Sequence, residues 1–359
     1  MWIESIHTHN FRNLQDEAVR LNQGLNWLIG PNGQGKTNCL EALYFVITTK
    51  SFRTSRNADL FRNRRDTTSI QASLVKNKAR FRFSVKLQPG KVSRFLGDKP
   101  CKPIDFFETA VVLAFTARDK ILVEGAPSDR RQLLDRMIAS IEPNYIGLIA
   151  RYRQIQNQCR KLLLQKNDLS TYRGFKRTMI PIAQKIIDKR REFLELIREP
   201  SIAIHQNLFA DQEPLFFSYR LHNCPVPNQY GQRHLDVCAE EMLHGRAVMG
   251  PHLDDLDIRF IDHKAKHFAS SGQVRSIALS LKLAVRELYR ERYGFHPPLL
   301  LDDIDAELDS ERLLRLLNYL DTRGQTLIST SKYGTIQGRL HDHVYMVDDG
   351  CISSERISE

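Results

Sequence analysis

The sequence of 359 residues carries 53 Lys and Arg against 42 Asp and Glu, which gives a formal net charge of +11. Its 42% apolar and 26% charged content is that of a globular protein, so the composition excludes a disordered or fibrous chain. At about 150 residues per domain, this length predicts roughly two domains, each able to bury a core.

Membrane and secretory classes are also disfavoured. No stretch approaches the ~18 consecutive apolar residues of a membrane span, and the amino terminus lacks the pattern of a secretory signal. We therefore expect a cytoplasmic protein with no membrane partner. The six cysteines are scattered without a CxxC pair, which predicts reduced thiols and argues against a structural zinc site.

The first predicted elements are short strands followed by a helix. Alternating apolar residues predict strands within residues 2–30, and the last of these, residues 25–29, ends in a run of turn residues. Apolar residues at helical spacing from Leu40 to Ile47 predict a helix that begins after Lys36. The predicted unit is a strand, a glycine-rich loop and a helix.

The glycine-rich loop matches the phosphate-loop pattern G-x-x-x-x-G-K-[ST]. Its glycines let backbone N–H groups point at phosphate oxygens, and the positive end of the helix dipole assists them. In such loops the lysine reaches the β and γ phosphates and the hydroxyl ligates Mg²⁺. A plain glycine turn is disfavoured by the flanking strand and helix. The nucleotide-binding residues predicted here are Gly30, Pro31, Asn32, Gly33, Gln34, Gly35, Lys36 and Thr37.

Two segments hold most of the positive charge. Residues 51–100 have a net charge of +10, and residues 151–200 have a net charge of +8. The first includes predicted antiparallel strands over residues 67–96, in which Arg80, Arg82 and Lys86 share one solvent-facing side. Such basic segments favour a polyanion contacted through phosphates, and two solvated basic faces are the alternative.

Residues 129–198 carry apolar stripes at helical spacing, which predict a helical insertion. Asn167, Gly174 and Pro181 are expected to interrupt these helices. The insertion is too short for the long coiled-coil arms of chromosome-structuring ATPases. Further along, His252 with the acids Asp254, Asp255 and Asp257 suggests a metal cluster, but alternating acids beside a strand are more often solvent-facing.

A glycine-containing helix start follows at Ser270, Gly272 and Gln273. Small polar residues at the start of a helix form a second anion-binding surface. A plain helix cap is the structural alternative.

A predicted apolar strand of three leucines is then followed directly by Asp302 and Asp303. Paired with a phosphate loop, Asp302 is expected to hold Mg²⁺ and Asp303 to accept a proton from the attacking water. Acids that cap the next helix are the alternative.

The order of these motifs resembles the head of ABC-type ATPases, and local stretches are similar to the RecF family within that class. The similar stretches span nearly the whole chain and comprise residues 10–13, 30–37, 50–54, 125–127, 130–131, 134–135, 250–252, 272–273 and 300–309. The resemblance implies an α/β fold with an ABC-type ATPase head, a P-loop NTPase, built from residues 1–125 and 245–359. A smaller, mostly helical second lobe is expected at residues 126–244.

The same resemblance implies roles for individual residues. A lone subunit of such heads binds ATP but hydrolyses it poorly, because a partner caps the γ-phosphate. By analogy, Ser270, Gly272 and Gln273 act in trans across an ATP-dependent homodimer, with Asp309 at the same interface. Arg12 is expected to brace phosphates, and an ordinary surface arginine is the alternative.

The family resemblance also implies a function. We expect an ATP-dependent DNA-binding protein of recombinational repair and replication, whose dimer binds duplex DNA near single-strand gaps and helps recombinase loading. Recombination mediator proteins are implied as partners by the resemblance alone. Asp303 is one methylene shorter than the usual Glu, so slow DNA-stimulated hydrolysis is expected.

Two other function classes stay open. One is a transporter-type ATPase subunit. The basic segments and the absence of a His after residues 326–328 argue against this class. The missing His also leaves the γ-phosphate sensor unassigned. The other is an ATP-binding structural clamp without significant turnover, which the short Asp303 supports.

Overall fold

The computed structural model describes residues 1–62, 67–165, 168–209, 214–224, 229–261, 263–304, 308–332, 334 and 342–355. The chain divides into two compact units. The first unit comprises residues 1–119, 205–210 and 282–359, and the second comprises residues 120–204 and 211–281. The predicted lobe boundaries stay a prediction, since compactness does not decide which segments form the head. None of the described helices is long and apolar enough to cross a membrane.

The first unit contains a six-stranded antiparallel sheet in the order β2-β1-β4-β5-β6-β7. The strands are β1 (Trp2–His9), β2 (Ala18–Arg20), β4 (Thr68–Lys76), β5 (Ala79–Gln88), β6 (Lys91–Leu96) and β7 (Lys99–Pro100). One face is apolar, since Ile6 pairs with Ala72 and Ala72 with Phe83, all of them buried. The strands predicted within residues 67–96 are confirmed.

A second six-stranded sheet of the first unit has the order β15-β14-β3-β13-β12-β8. The strands are β3 (Leu25–Ile29), β8 (Leu113–Phe115), β12 (Leu299–Leu301), β13 (Thr326–Thr330), β14 (His343–Asp348) and β15 (Cys351–Glu355). Neighbouring strands pair in parallel, except that β14 and β15 pair antiparallel. Every residue of β3 and β12 is buried, which explains their nearly continuous apolar sequences.

Helix α1 (Lys36–Thr48) contributes to one core with both sheets. Leu40, Leu43 and Phe45 of α1 are fully buried in a cluster with Phe83 of the antiparallel sheet and Leu300 of the parallel one. Helices α2 (Pro103–Thr109) and α11 (Ser310–Leu320) also belong to this unit. A core of this kind fixes the start of α1, and therefore the loop before it, relative to the ends of the parallel strands.

The second unit is mostly helical. Its helices are α3 (Ile121–Glu124), α4 (Pro127–Ile141), α5 (Tyr145–Leu164), α6 (Leu169–Phe209) up to residue 204, α7 (Tyr230–Asp236), α8 (Cys238–His244), α9 (Ala265–Phe268) and the first part of α10 (Ser271–Tyr293). A three-stranded antiparallel sheet has β10 (Asp255–Phe260) between β9 (Leu215–Arg220) and β11 (His263–Lys264).

The expected helix breaks at Gly174 and Pro181 are wrong, and Asn167 lies outside the described residues. Helix α6 continues through both residues and also contains Pro200. Proline removes one backbone hydrogen bond, but the residues after Pro181 bury an apolar face that offsets this loss. The predicted helical character of residues 129–198 is otherwise confirmed where the structure describes them.

A buried ion pair lies inside the second unit. Lys176 Nζ is 2.7 Å from Glu241 Oε2, and both side chains are at most 1% exposed. The Tyr172 hydroxyl donates to the same carboxylate at 2.7 Å. The Lys176 ammonium also contacts His234 Nδ1 at 3.1 Å, and His234 Nε2 lies 3.0 Å from the Tyr230 hydroxyl. These bonds join α6 to α7 and α8.

Candidate nucleotide-binding site

The phosphate loop lies between β3 and α1, as predicted. Gly33 and Gly35 have φ values of 86° and 120°, a region that favours glycine. A Cβ on Gly30 would lie 2.1 Å from the Val347 backbone oxygen, so only glycine fits this position. Within the described residues, no side chain caps the start of α1. Its first amides are therefore available to an anion.

Lys36 is held inside this loop. Its side chain is buried, and the ammonium donates to the backbone oxygens of Gly30 at 2.6 Å and of Pro31 at 2.9 Å. Asn32 and Gln34 are exposed or partly exposed on the same loop. The Gln34 carboxamide oxygen accepts a hydrogen bond from the Asp349 backbone N–H at 2.6 Å.

The loop and the acidic strand meet at Asp302. The Thr37 hydroxyl donates to Asp302 Oδ1 at 2.8 Å, and the Ser329 hydroxyl donates to the same oxygen at 2.8 Å. Parallel pairing of β12 with β13 brings the carboxyl ends of both strands together. Burial raises the pKa of Asp302, while the bonds from Ser329 and Thr37 oppose that rise.

Asp303 adopts an unusual backbone conformation beside Asp302. Its φ is 49°, in the left-handed region that Asp tolerates better than most side chains. The Asp303 backbone N–H donates to Ser329 Oγ at 2.8 Å. The charge of Asp303 also contributes to the raised pKa of Asp302, so the two carboxylates interact electrostatically.

Arg12 pairs with a buried carboxylate rather than standing free. Its Nε and Nη2 donate to the two oxygens of Glu41 at 2.9 and 3.0 Å, and the Glu41 side chain is 0% exposed. Ser51 also donates to Glu41, and Arg53 Nη1 lies 3.7 Å from it. A bidentate pair of this kind is strong, so the phosphate contact expected of Arg12 stays a prediction.

Ser270 and Gln273 cap each other at the start of α10. The Ser270 N–H donates to Gln273 Oε1 at 2.8 Å, and the Gln273 N–H donates to Ser270 Oγ at 3.2 Å. This reciprocal arrangement is a capping box, with Gly272 inside the turn. The helix cap, which was the alternative interpretation of this motif, is therefore present within one chain. A role in trans stays a prediction.

The other acidic residues singled out in the sequence have structural partners. Asp309 caps α11 by accepting the Arg312 N–H at 2.9 Å. Residues 305–307 of the same stretch lie outside the described residues. Asp254 is fully buried, not solvent-facing, and accepts from the Tyr219 hydroxyl at 2.8 Å. Across the described ranges, no group of three or more His, Cys, Asp or Glu is arranged to hold a metal.

Three residues that the sequence motifs did not indicate join this site. Ser329 occupies the end of β13, where transporters usually place a His, and it links Asp302 to Asp303. Glu41 lies one helical turn after Thr37, and Arg53 donates to Asn38 Oδ1 at 2.5 Å. The sequence signals for them were the spacing of Glu41 from Thr37, the place of Arg53 in the family-like stretch 50–54, and the place of Ser329 directly after residues 326–328.

Comparison with known proteins identifies the family. Residues 1–211 match the family model of an AAA ATPase domain. The DNA replication and repair protein RecF of Lactobacillus johnsonii is 30% identical over 99% of this chain and 100% of that protein. The chain belongs to the RecF family. The RecF protein of Thermosynechococcus vestitus is 33% identical over 92% of this chain and 91% of its own length.

Solved structures show the same fold. A structure of the recombination mediator protein RecF with ATP is 23% identical, covers 99% of this chain and 97% of its own, and has a TM-score of 0.89. An Smc head bound to a winged-helix domain of ScpA is 15% identical, covers 100% and 98%, and has a TM-score of 0.61. These likenesses confirm the predicted α/β fold of an ABC-type ATPase head.

Proposed function

We propose that this RecF-family chain binds ATP with Mg²⁺ at the phosphate loop, and that ATP drives a homodimer that holds duplex DNA near single-strand gaps. The observation that carries the proposal is the hydrogen bond from Thr37 to Asp302, which joins the phosphate loop to the acidic strand. A weak, DNA-stimulated ATPase activity would then reopen the dimer and help recombinase loading.

The loop residues fit a triphosphate. Gly33 and Gly35 hold the backbone in left-handed conformations, and the uncapped start of α1 offers N–H groups. Among the described residues, the Lys36 ammonium donates to two backbone oxygens, which it can exchange for charged phosphate oxygens. We propose that residues 30–37 hold the phosphates, as the resemblance implies.

The Thr37 hydroxyl and the Asp302 carboxylate fit Mg²⁺. Both are oxygen donors, which Mg²⁺ prefers, and they already lie within 2.8 Å of one another. A bound Mg²⁺ supplies positive charge that neutralises the phosphates. It would also favour ionised Asp302, whose pKa burial otherwise raises.

The dimer interface is proposed to include Ser270, Gly272 and Gln273. Ser270 is exposed and starts a helix of 23 residues, so a second copy can approach its amides. Helix dipoles favour anions at this end. The proposed role in trans rests on the family resemblance together with this exposure.

Slow turnover follows from Asp303. Its side chain is one methylene shorter than Glu, and its left-handed backbone limits the positions that the carboxylate can reach. This supports the second candidate function, a clamp that binds ATP with no significant turnover. No observation in the described structure favours a transporter subunit.

One measurement tests the proposal and separates it from the clamp. Phosphate release and sedimentation are measured with ATP, in the absence and presence of duplex, gapped and single-stranded DNA. We expect ATP-dependent dimers and phosphate release that DNA accelerates. Dimers without DNA-stimulated release would establish the clamp, and an ATP-independent monomer that ignores DNA would contradict both.

A further inference from the structure

Two turns of the first unit lie against the outside of the phosphate loop. One connects β1 to β2, and the other connects β14 to β15. A Cβ on Gly35 would lie 3.1 Å from Asn13 Oδ1 and 3.4 Å from Gly350 Cα, so both turns approach the loop at the same glycine. Residues 13–15 and 349–350 are referred to below as the outer turns.

The side chain of Asn13 links the first of these turns to the loop. Its Nδ2 donates to the Gly33 backbone oxygen at 3.2 Å, and its Oδ1 accepts from Asn38 Nδ2 at 2.6 Å. Asn38 belongs to the first turn of α1. One asparagine outside the phosphate-loop motif therefore bridges the middle of the loop and the helix that follows it.

The direction of these hydrogen bonds is fixed at both ends. Arg53 has only donors, and its Nη1 donates to Asn38 Oδ1 at 2.5 Å, so the Asn38 amide nitrogen faces Asn13. The backbone oxygen of Gly33 is only an acceptor, so the Asn13 amide nitrogen faces the loop. Turning either amide around would place two acceptors or two donors against each other. Asn13 is therefore a donor toward the loop.

The second turn binds the loop through its backbone. The Gly350 N–H donates to the Gln34 backbone oxygen at 2.8 Å, and the Asp349 N–H donates to Gln34 Oε1 at 2.6 Å. Asp349 and Gly350 have φ values of 42° and 77°, as a type I′ hairpin turn requires. The Gln15 N–H holds this turn by donating to the Gly350 oxygen at 2.9 Å. A Cβ on Gly350 would clash with the Asn13 backbone oxygen, so only glycine permits this approach.

These contacts orient two peptide groups of the loop. In a trans peptide, the C=O of one residue and the N–H of the next point in opposite directions. The oxygens of Gly33 and Gln34 point outward to the outer turns. The N–H groups of Gln34 and Gly35 therefore point toward the inside of the loop, where phosphate oxygens accept hydrogen bonds in loops of this type.

We propose that Asn13 is a positioning residue for the phosphate loop, and that the outer turns hold two of its peptides ready for phosphate before a nucleotide binds. Donors that are already oriented bind an anion without the free-energy cost of ordering them. The inference rests on the proposed function, because it takes residues 30–37 to be a nucleotide site. It makes the affinity for phosphates depend on a side chain outside that motif.

ADP is the probe that isolates this effect. It carries the α and β phosphates that the loop amides contact, and it lacks the γ-phosphate that is proposed to drive the dimer. Its Kd is measured by calorimetry with Mg²⁺, well below the melting temperature. Asn13→Leu removes the donor with little change in volume. We expect the Kd to rise roughly three- to tenfold, which corresponds to the loss of one hydrogen bond.

Asn22→Leu is the matched control. The Asn22 amide donates to the Tyr345 hydroxyl at 3.0 Å, and Asn22 precedes β3, whereas the phosphate loop follows that strand. This variant also loses one side-chain hydrogen bond, so its melting temperature without nucleotide should resemble that of Asn13→Leu. Its Kd for ADP should equal the wild-type value.

Asn13→Asp separates the lost donor from a change of shape. It keeps the size of the side chain and the oxygen that accepts from Asn38, but it places a second oxygen against the Gly33 carbonyl. ADP affinity should fall at least as far as in Asn13→Leu. A loss in Asn13→Asp alone would assign the effect to the added charge and would overturn the inference.

Glycine substitutions test the second turn. Gly350→Ala places a Cβ against Asn13 and disturbs the bonds to both peptides, so the Kd for ADP should rise about tenfold or more. Gly90→Ala is the matched control, because Gly90 has a φ of 74° and a Cβ there would meet no atom within 4 Å. Both variants carry left-handed backbone strain, so Gly90→Ala should lower the melting temperature and leave the Kd unchanged.

Two further results would overturn the inference. One is wild-type ADP affinity in Asn13→Leu. The other is an equal loss of affinity in Asn22→Leu or Gly90→Ala, which would show that the affinity only follows stability. Failure of the proposed function is a separate result, because the wild-type chain itself would then bind neither ADP nor ATP.

Discussion

At the residue scale, the site depends on a few side chains that the backbone positions tightly. Ser329 shows how this works, because its hydroxyl donates to Asp302 while its oxygen accepts the Asp303 N–H. One serine therefore fixes both acids at the end of β12. A small hydroxyl residue suits this position because a larger side chain would separate the two strand ends.

Lys36→Ala tests the phosphate loop. The change removes a buried ammonium that is proposed to bind phosphate, and a charge-assisted hydrogen bond contributes about 1.5–3 kcal/mol. ATP affinity should fall roughly tenfold or more. Sedimentation with a non-hydrolysable ATP analogue should then show monomers, and dimers at wild-type concentrations would contradict the assignment.

Asp303→Asn tests the proposed base. Asn tolerates the left-handed backbone found here and nearly matches Asp in volume, so the fold and the ATP-driven dimer should persist. Phosphate release should fall by about 10²-fold or more, because a general base typically contributes at least this factor. Wild-type release from this variant, with dimers intact, would remove Asp303 from the role.

At the element scale, the start of α10 offers a test of whether Ser270 only caps the helix or also acts at the proposed dimer interface. Ser270→Asp preserves the helix cap, because Asp caps as well as Ser, but it adds negative charge where phosphate is proposed to approach. We expect a wild-type melting temperature and no ATP-driven dimer. A Ser270→Asp protein that still dimerises with ATP would show that Ser270 only caps the helix.

The buried His234 of α7, which contacts Lys176 of α6, predicts a pH dependence of stability. Burial lowers the pKa of His234 to about 2, and the nearby Lys176 ammonium adds to this effect. Below about pH 6.5 the unfolded chain therefore binds a proton that the folded chain does not, so the free energy of unfolding falls as the pH falls.

Denaturant unfolding at pH 7 and pH 5 checks this prediction. His234→Gln can keep both hydrogen bonds and should reduce the stability difference between these two pH values by about 2 kcal/mol. His267→Gln changes an exposed histidine and serves as the control. An unaltered pH dependence in His234→Gln would show that the imidazole is protonated in the folded chain.

Sequence patterns predicted the elements where local periodicity and burial agree. The strands around the phosphate loop and within residues 67–96 follow this rule. The continuity of α6 through Pro181 could not be predicted, because packing of the residues that follow outweighs the lost backbone bond. The burial of Asp254 likewise depends on partners from β9 that local patterns do not reveal.

At the scale of the whole molecule, charge is the property most visible in the sequence. It predicted a polyanion partner and two basic segments, one of which forms the exposed sheet face. The acids and the loop of the nucleotide site were also predicted from their motifs. The contacts of Arg12 with Glu41 were not, because they depend on tertiary packing between α1 and the segment that follows β1.

The second basic segment yields a prediction for duplex binding. Helix α5 exposes four basic residues, Arg151, Arg153, Arg160 and Lys161. If all four contact phosphates, changing them to Gln should reduce the salt slope of duplex affinity by about 3.6, since each contact contributes about 0.9. Titrations at several salt concentrations measure this slope, and an unchanged value would mark these residues as solvated charge.

The hydrogen bond between Thr37 and Asp302 joins residues that are 265 positions apart. During synthesis at about 5–20 residues per second, Asp302 is made roughly 13 to 50 s after Thr37. A nascent chain on the ribosome therefore carries its phosphate loop long before the loop acquires its acidic neighbours. The proposed Mg²⁺ site, which needs both residues, can therefore form only after Asp302 has been made.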